Sequence, residues 1–136
     1  MTVKQVIVMR KDLSMRKGKM IAQGAHSALK VFLDLQRSVT KFGNVLKYQI
    51  SLPEGNTGKE MNDWVEGIFT KICCGVNSEE ELLSIYNNAK EKGLPCSLIQ
   101  DSGLTEFGGI PTYTCCAIGP ASSELIDPIT GGLSLL

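Results

Sequence analysis

One short stretch of this chain gathers the side chains best suited to chemistry, and places them oddly. "DLSMRKGKMIAQGAHSALK", Asp12 to Lys30, reads as a loop followed by a helix. Arg16, Lys17 and Lys19 crowd the end where the helix dipole is already positive, and each exposed cation there costs about 0.3–1 kcal/mol at low salt. A helix N-terminus with unpaired N–H groups and lysines is a ready phosphate site, so an anionic partner is expected. A second stretch, "DSGLTEFGG", brings a carboxylate at Asp101 and a hydroxyl at Thr105. On an ideal helical wheel, Lys19, Gln23 and His26 share one edge of the apolar stripe, and Lys17 falls roughly opposite. Lys17 reaches a site shared with them only if the helix starts after it or Gly18 bends the chain. His26, the sole histidine, is read first as a buried, hydrogen-bonded support for the helix and second as a catalytic group.

The cysteines offer less. Cys73, Cys74, Cys96, Cys115 and Cys116 make an odd number, and they show neither a CxxC pair nor a Cys/His spacing of the zinc type. Adjacent cysteines on a strand point to opposite faces. Both CC pairs are therefore expected to be small core fillers. No metal or cofactor is implied.

The elements that must position these residues follow from the pattern. "VKQVIVMR", "TKICCGV", "LPCSLIQ" and "TYTCCAIGP" are short apolar runs expected as strands. From about 17 to 36, Ala22, Ala25, Leu29, Phe32 and Leu33 recur at helical spacing and predict one buried stripe. "NSEEELLSIYNNAKEKG" predicts a helix capped by Asn77 or Ser78 and stopped by Gly93. A short helix around Met61–Glu66, with Trp64 inward, and a last one in "SSELIDPITG" complete the list. Residues 38–60 are expected as an irregular excursion around the turn cluster "PEGNTG".

Helical crossovers make the first three strands parallel. The fourth follows a loop too short for one, so it should run antiparallel. The expected fold is a single α/β domain over residues 1–136, a three-layer α/β/α sandwich with a mixed four-stranded sheet. Parallel strands collect their C-terminal loops on one edge, the usual ligand edge. That edge brings Lys17 and Lys19 toward Asp101 and Thr105.

A chain of 136 residues with 43% hydrophobic and 21% charged side chains can bury a core unaided. It lacks a membrane-length apolar run, and its start lacks the marks of an export signal, so a cytoplasmic location is expected. The net charge of zero conceals a division. Residues 1–50 hold ten basic and two acidic side chains, a net of +8, and the remainder carries −8. One face suited to a polyanion and a bipolar surface intermixed by folding both fit this division.

Several blocks together carry a resemblance. "KQVIVMRKDLSMRKGKMIAQGAHSAL", "SLIQDSGLTE", "PTYTCCAIGP" and "LIDPITGGLSLL" resemble, in order, the R-x-D-L, K-G-K, A-Q-x-x-H, D-A-G-x-T, T-x-T-x-x-A-I-G-P and T-G-x-L blocks of the type-2 peptidyl-tRNA hydrolases. Ser102 stands where that family has alanine, and "FGGIP" replaces a proline-glycine turn. The likeness covers nearly the whole chain except about 38–60. It implies hydrolysis of the ester joining a peptide or N-blocked amino acid to the 3′ ribose of tRNA. It points to Lys17, Asp101 and Thr105 as catalytic, and to Arg16, Lys19, Gln23, His26, Thr112 and Thr114 as substrate contacts. It also makes a homodimer plausible. Ester hydrolysis needs an oriented water, a stabilised oxyanion and help for the leaving oxygen. Asp101 would serve the water, Lys17 the charge, and Thr105 water or substrate. A non-catalytic module that holds tRNA or another anion is the alternative. A nucleotide-binding regulatory domain would want a Gly-rich loop after the first strand, which the chain lacks.

Overall fold

The structure, a computed structural model, describes residues 2–136. The elements run β1 (Val3–Arg10), α1 (Lys17–Leu33), β2 (Arg37–Phe42), β3 (Val45–Ile50), α2 (Gly55–Glu66), β4 (Lys71–Val76), α3 (Glu79–Glu91), β5 (Cys96–Asp101), β6 (Thr112–Ser122) and α4 (Ser123–Thr130). The main sheet is ordered β4-β1-β6-β5. β1 pairs parallel with β4, while β6 is antiparallel to both β1 and β5. Three strands therefore share one direction, as expected, and the antiparallel strand is inserted between two of them.

Alternation along β1 and β6 divides the core. Val6, Val8, Cys116 and Ile118 face one layer, where Leu82 and Ala89 of α3 and Ile126 of α4 pack. Ile7, Met9, Cys115 and Ala117 face the other, against Val31 of α1 and Met61 of α2. Both central strands are covered on two faces, which is why they read as unbroken apolar runs. On β6 both cysteines are therefore buried, whereas on the edge strand β4 Cys74 faces the core and Cys73 is exposed. Burial pushes the Cys115 thiol up to about 11 and raises Cys116 as well. Neither is placed to act as a nucleophile.

The helix α3 forms for the reasons legible in its sequence. Ser78 accepts a hydrogen bond from the Glu81 amide at 3.1 Å, three glutamates fill the first turn, and Lys90 sits in the last.

The helix α1 departs from expectation. Its buried residues are Gln23, Gly24, Ser27 and Val31, while Ala22, Ala25, Leu29 and Leu33 are exposed. The small, polar face lies inward because the helix sits close to the sheet, with a Cβ at Gly24 coming 3.8 Å from Ile7 and Met9. Local partners satisfy the polar groups: Ser27 Oγ donates to the Gly24 carbonyl at 2.8 Å, and Ser97 Oγ donates to the Ser27 carbonyl at 2.7 Å. Of the expected stripe only Phe32 packs against the core, while Leu29 and Leu33 line an open groove.

Residues 38–60 are not irregular. The strands β2 and β3 form an antiparallel hairpin in perfect register, separate from the main sheet. Gly43, at φ 56°, occupies the first central turn position, as hairpin turns of type II′ require. The helix α2 follows, with Trp64 buried and stacked on Phe32 at 5.8 Å between centroids. The hairpin escaped the pattern because every residue in both strands is exposed, so neither face needs to be uniformly apolar. Among the described residues, no helix is long and apolar enough to cross a membrane.

Candidate active site

The site forms where β1, β5 and β6 reach one end of the sheet and α1 begins. Arg10, the buried last residue of β1, starts it. Its guanidinium holds Asp12 at 2.6 and 3.1 Å and donates to the Tyr113 carbonyl at 3.1 Å. That hydrogen bonding keeps the Asp12 carboxyl below its ordinary range. The chain is thereby tied to β6 as it leaves the sheet, and buried Met15 anchors it before α1.

Across the β5–β6 ladder, Ile99 pairs with Cys115 and Gln100 with Tyr113, leaving Thr114 as the extra residue of a bulge. Bulges re-aim side chains and are common beside active sites. Here the buried Thr114 hydroxyl donates to Gln23 Oε1 at 2.5 Å, fixing which way that amide points. Gln23 Nε2 then donates to Asp101 Oδ1 at 3.4 Å.

Lys19 completes the cluster. Its Nζ lies 2.9 Å from Asp101 Oδ1 and 3.0 Å from Thr105 Oγ1, and 5.7 Å from the centre of the Phe107 ring. The Gly103 amide donates to Asp101 Oδ2 at 2.9 Å. The Lys19 hydrogen bond, with help from Gly103 and Gln23, outweighs desolvation and holds the Asp101 carboxyl below its ordinary range. The loop that carries Thr105 is closed by Gly103, which sits at φ 81° and has no room for a Cβ: one would fall 2.1 Å from the Ile110 carbonyl oxygen.

Of the residues singled out in the sequence, the structure gathers Lys19, Gln23, Asp101, Thr105 and Thr114. Lys17 makes none of these contacts among the described residues. α1 already starts at Lys17, so the bend that would have turned it toward Asp101 is not there. Lys17 instead lines an apolar groove of about 520 Å³ on the other flank of α1, with Ile7, Met20, Ile21 and Leu136. Arg16 pairs with Glu106 at 3.2 Å, which with the Lys19–Asp101 pair answers the inverted charge at the start of α1. Thr112 turns back to donate to the Ile110 carbonyl at 2.8 Å. His26 is not buried: it is exposed in a groove of about 360 Å³ with Leu29, Lys30, Leu33, Leu98 and Gln100. Glu106, Phe107 and Gly103 were missed. Gly103 is the glycine of the D-A-G-x-T block, while only their place in the "DSGLTEFGG" stretch pointed to Glu106 and Phe107.

The family model described as Peptidyl-tRNA hydrolase PTH2 matches residues 3–136. A peptidyl-tRNA hydrolase of Methanocaldococcus jannaschii is 41% identical over 134 residues, covering 98% of this chain and 100% of that one. One from Sulfurisphaera tokodaii is 40% identical over 136 residues, with both chains fully covered. A solved structure of a protein of unknown function from Agrobacterium tumefaciens shares the fold, at TM-score 0.57 and 12% identity over 100% of this chain and 98% of that one. With nearly its whole length matched by the family model and by relatives at about two-fifths identity, the chain belongs to the PTH2 family of peptidyl-tRNA hydrolases.

Proposed function

We propose that this chain hydrolyses the ester between a peptide, or an N-blocked amino acid, and the 3′ ribose of tRNA at the Lys19–Asp101–Thr105 cluster. The observation that carries this reading is the Lys19 ammonium bridging Asp101 and Thr105 at the open end of the sheet.

The unused hydrogen-bonding capacity of each group assigns its work. A carboxylate offers about four lone-pair directions. Asp101 accepts from Lys19 and Gln23 on Oδ1 and from Gly103 on Oδ2, so one direction remains on Oδ2 for a water. Because its pKa is depressed, Asp101 is a poor proton acceptor and a good orienting one. An ammonium has three donors, and Lys19 uses two, leaving one for the carbonyl oxygen as it becomes an oxyanion. Thr105 accepts from Lys19, and its own O–H is left to donate toward the ribose oxygen. Water adds to the carbonyl carbon, the acyl–oxygen bond breaks, and the ribose oxygen leaves as a hydroxyl with a proton that came from the water.

Lys17 and Arg16, exposed at the start of α1, suit the phosphates of the 3′ nucleotides better than the reacting carbonyl. His26 suits a contact along the groove beside Gln100. The reading implies a cytoplasmic location, where tRNA is charged. The family resemblance also supports a homodimer, and the exposed Ile21 beside the apolar groove offers surface for one. Molar mass by light scattering tests that.

The function itself is tested by incubating the purified chain with an N-blocked aminoacyl-tRNA, such as diacetyl-lysyl-tRNA, and following release of the blocked amino acid. Turnover that is lost in Asp101→Asn supports the reading. Tight tRNA binding without release would favour a non-catalytic module.

A further inference from the structure

We propose that the β2–β3 hairpin is an RNA-binding arm that grips the body of the tRNA well away from the reacting ester. This rests on the reading of tRNA as the substrate. The hairpin lies outside the motif blocks, and nothing in the reaction uses it.

Three observations carry the inference. The first is charge. Between Leu35 and Pro53 the chain holds Arg37, Lys41 and Lys47 and not one acidic residue. In the second half of the chain, by contrast, acids outnumber bases.

The second is the arrangement of side chains. Cross-strand partners share a face, so Arg37, Val39 and Lys41 lie with Ile50, Tyr48 and Leu46 on one side of the ribbon. Tyr48 sits opposite Val39, with Arg37 and Lys41 as its diagonal neighbours, within reach of its ring. It is 64% exposed. An open aromatic ring flanked by two cations is the combination that binds single-stranded or shallow-groove RNA, stacking on bases or sugars while the cations take phosphates. The opposite face adds Lys47 beside Thr40. None of these residues joins either core cluster, so folding does not require the exposed apolar surface.

The third is distance. From Lys19 to Leu33 the helix rises about 21 Å at 1.5 Å per residue, and the hairpin begins just beyond. The groove of His26, Lys30 and Leu33 runs along this same stretch, beginning beside Gln100. A ligand that occupies the active site and the hairpin together must be long and anionic. Tyrosine and cations at that separation match a tRNA whose 3′ end is in the site. The gap exceeds a Debye length of about 8–10 Å, so the arm acts on binding and leaves the chemistry at Lys19 alone. A second copy of this chain is a poorer occupant, because hairpin against hairpin would oppose like charges.

The experiment uses the full chain, with Arg37→Ser/Lys41→Ser/Lys47→Ser as one variant and Tyr48→Ser as another. All four positions are exposed, and circular dichroism with thermal melting checks that both variants fold. Binding of uncharged tRNA is followed by fluorescence anisotropy across a salt series. Hydrolysis is measured on diacetyl-lysyl-tRNA and on the same ester carried by a 3′-terminal trinucleotide, too short to reach the hairpin. The triple variant should flatten the plot of log K against log salt by about 0.7–0.9 per lost phosphate contact. At about 0.1 M salt that corresponds to roughly five- to eightfold weaker binding per contact. KM for the full tRNA should rise with kcat unchanged, and the trinucleotide ester should be cleaved as by the unmodified chain. Tyr48→Ser should weaken tRNA binding with the salt slope unchanged. Equal slopes and KM values for all three proteins would overturn the proposal. So would a change confined to the chain's molar mass, or to its binding of phosphatidylserine vesicles. If the unmodified chain cleaves neither ester, the hydrolase reading fails, while the anisotropy slopes still decide the arm.

Discussion

Lys19 and Lys17 are two residues apart in sequence and serve different flanks of one helix. The cluster around Lys19 is built so that each partner limits the others: Thr114 orients Gln23, Gln23 and Gly103 hold Asp101, and Asp101 holds Lys19. Asp101→Asn keeps the shape but removes the charge that orients water and fixes Lys19. Turnover should fall on the order of 10²-fold, the cost of losing that positioning, with the fold retained, as measured by single-turnover release and a melting curve. The depressed pKa of Asp101 sets the pH behaviour. The group stays ionised down through the ordinary carboxylate range near 3.9, so the wild-type rate should show no loss from this group until the pH falls below that range. Stability follows the same sign. The Lys19–Asp101 contribution is complete above the unfolded carboxylate pKa, and it is lost as pH falls through the lower folded value. Thr114→Val leaves Gln23 Oε1 buried without its donor and should cost about 1–3 kcal/mol, read from denaturant melts. At this scale the sequence was half legible. Helical spacing put Lys19 and Gln23 on one edge, but it could not fix where α1 starts. That single boundary decides which lysine meets Asp101.

Among the elements, the 102–111 loop does most to define the site. Gly103 supports it by conformation and by lack of a side chain, since a Cβ would overlap the Ile110 carbonyl. Gly103→Ala must therefore displace the loop that carries Thr105 and the amide that holds Asp101. Misplacement by about 1 Å costs on the order of 10²-fold in rate, so kcat should drop by that much while far-UV circular dichroism stays unchanged. α3 could be read almost completely in advance, because its cap, charges and stop signal all agree. α1 could not. Its inward face is Gln23, Gly24 and Ser27, residues that pattern reading assigns to the outside, and it is buried because Gly24 lets the helix sit close on β1 while β5 and β6 supply hydrogen-bond partners. The β2–β3 hairpin was hard to read for a different reason: Leu46, Tyr48 and Ile50 alternate along β3, but β2 sets Arg37 and Lys41 beside them, so neither face is uniformly apolar.

At the scale of the whole molecule, the sheet explains the site's position. β1 and β5 run the same way, so their C-terminal ends, Arg10 and Asp101, lie at one edge. β6 enters between them from that edge and brings Thr114 with it. Strand directions followed from loop lengths. The insertion of β6 between β1 and β5 did not, because chain order alone does not say where an antiparallel strand joins. The charge division also takes physical form here. Of the ten cations of the first fifty residues, Arg16, Lys17 and Lys19 lie at the start of α1 and Arg37, Lys41 and Lys47 along the hairpin, at the two ends of one path along α1. The central claim is that Lys19, held by Asp101 and Thr105, stabilises the charge that develops during ester cleavage. Single-turnover hydrolysis of diacetyl-lysyl-tRNA by Lys19→Ala and Lys17→Ala, side by side, tests it most directly. Lys19→Ala should lose about 10²–10³ in rate at saturating enzyme, while Lys17→Ala should keep its rate and only bind more weakly. A near-normal rate for Lys19→Ala together with a collapse for Lys17→Ala would contradict the account.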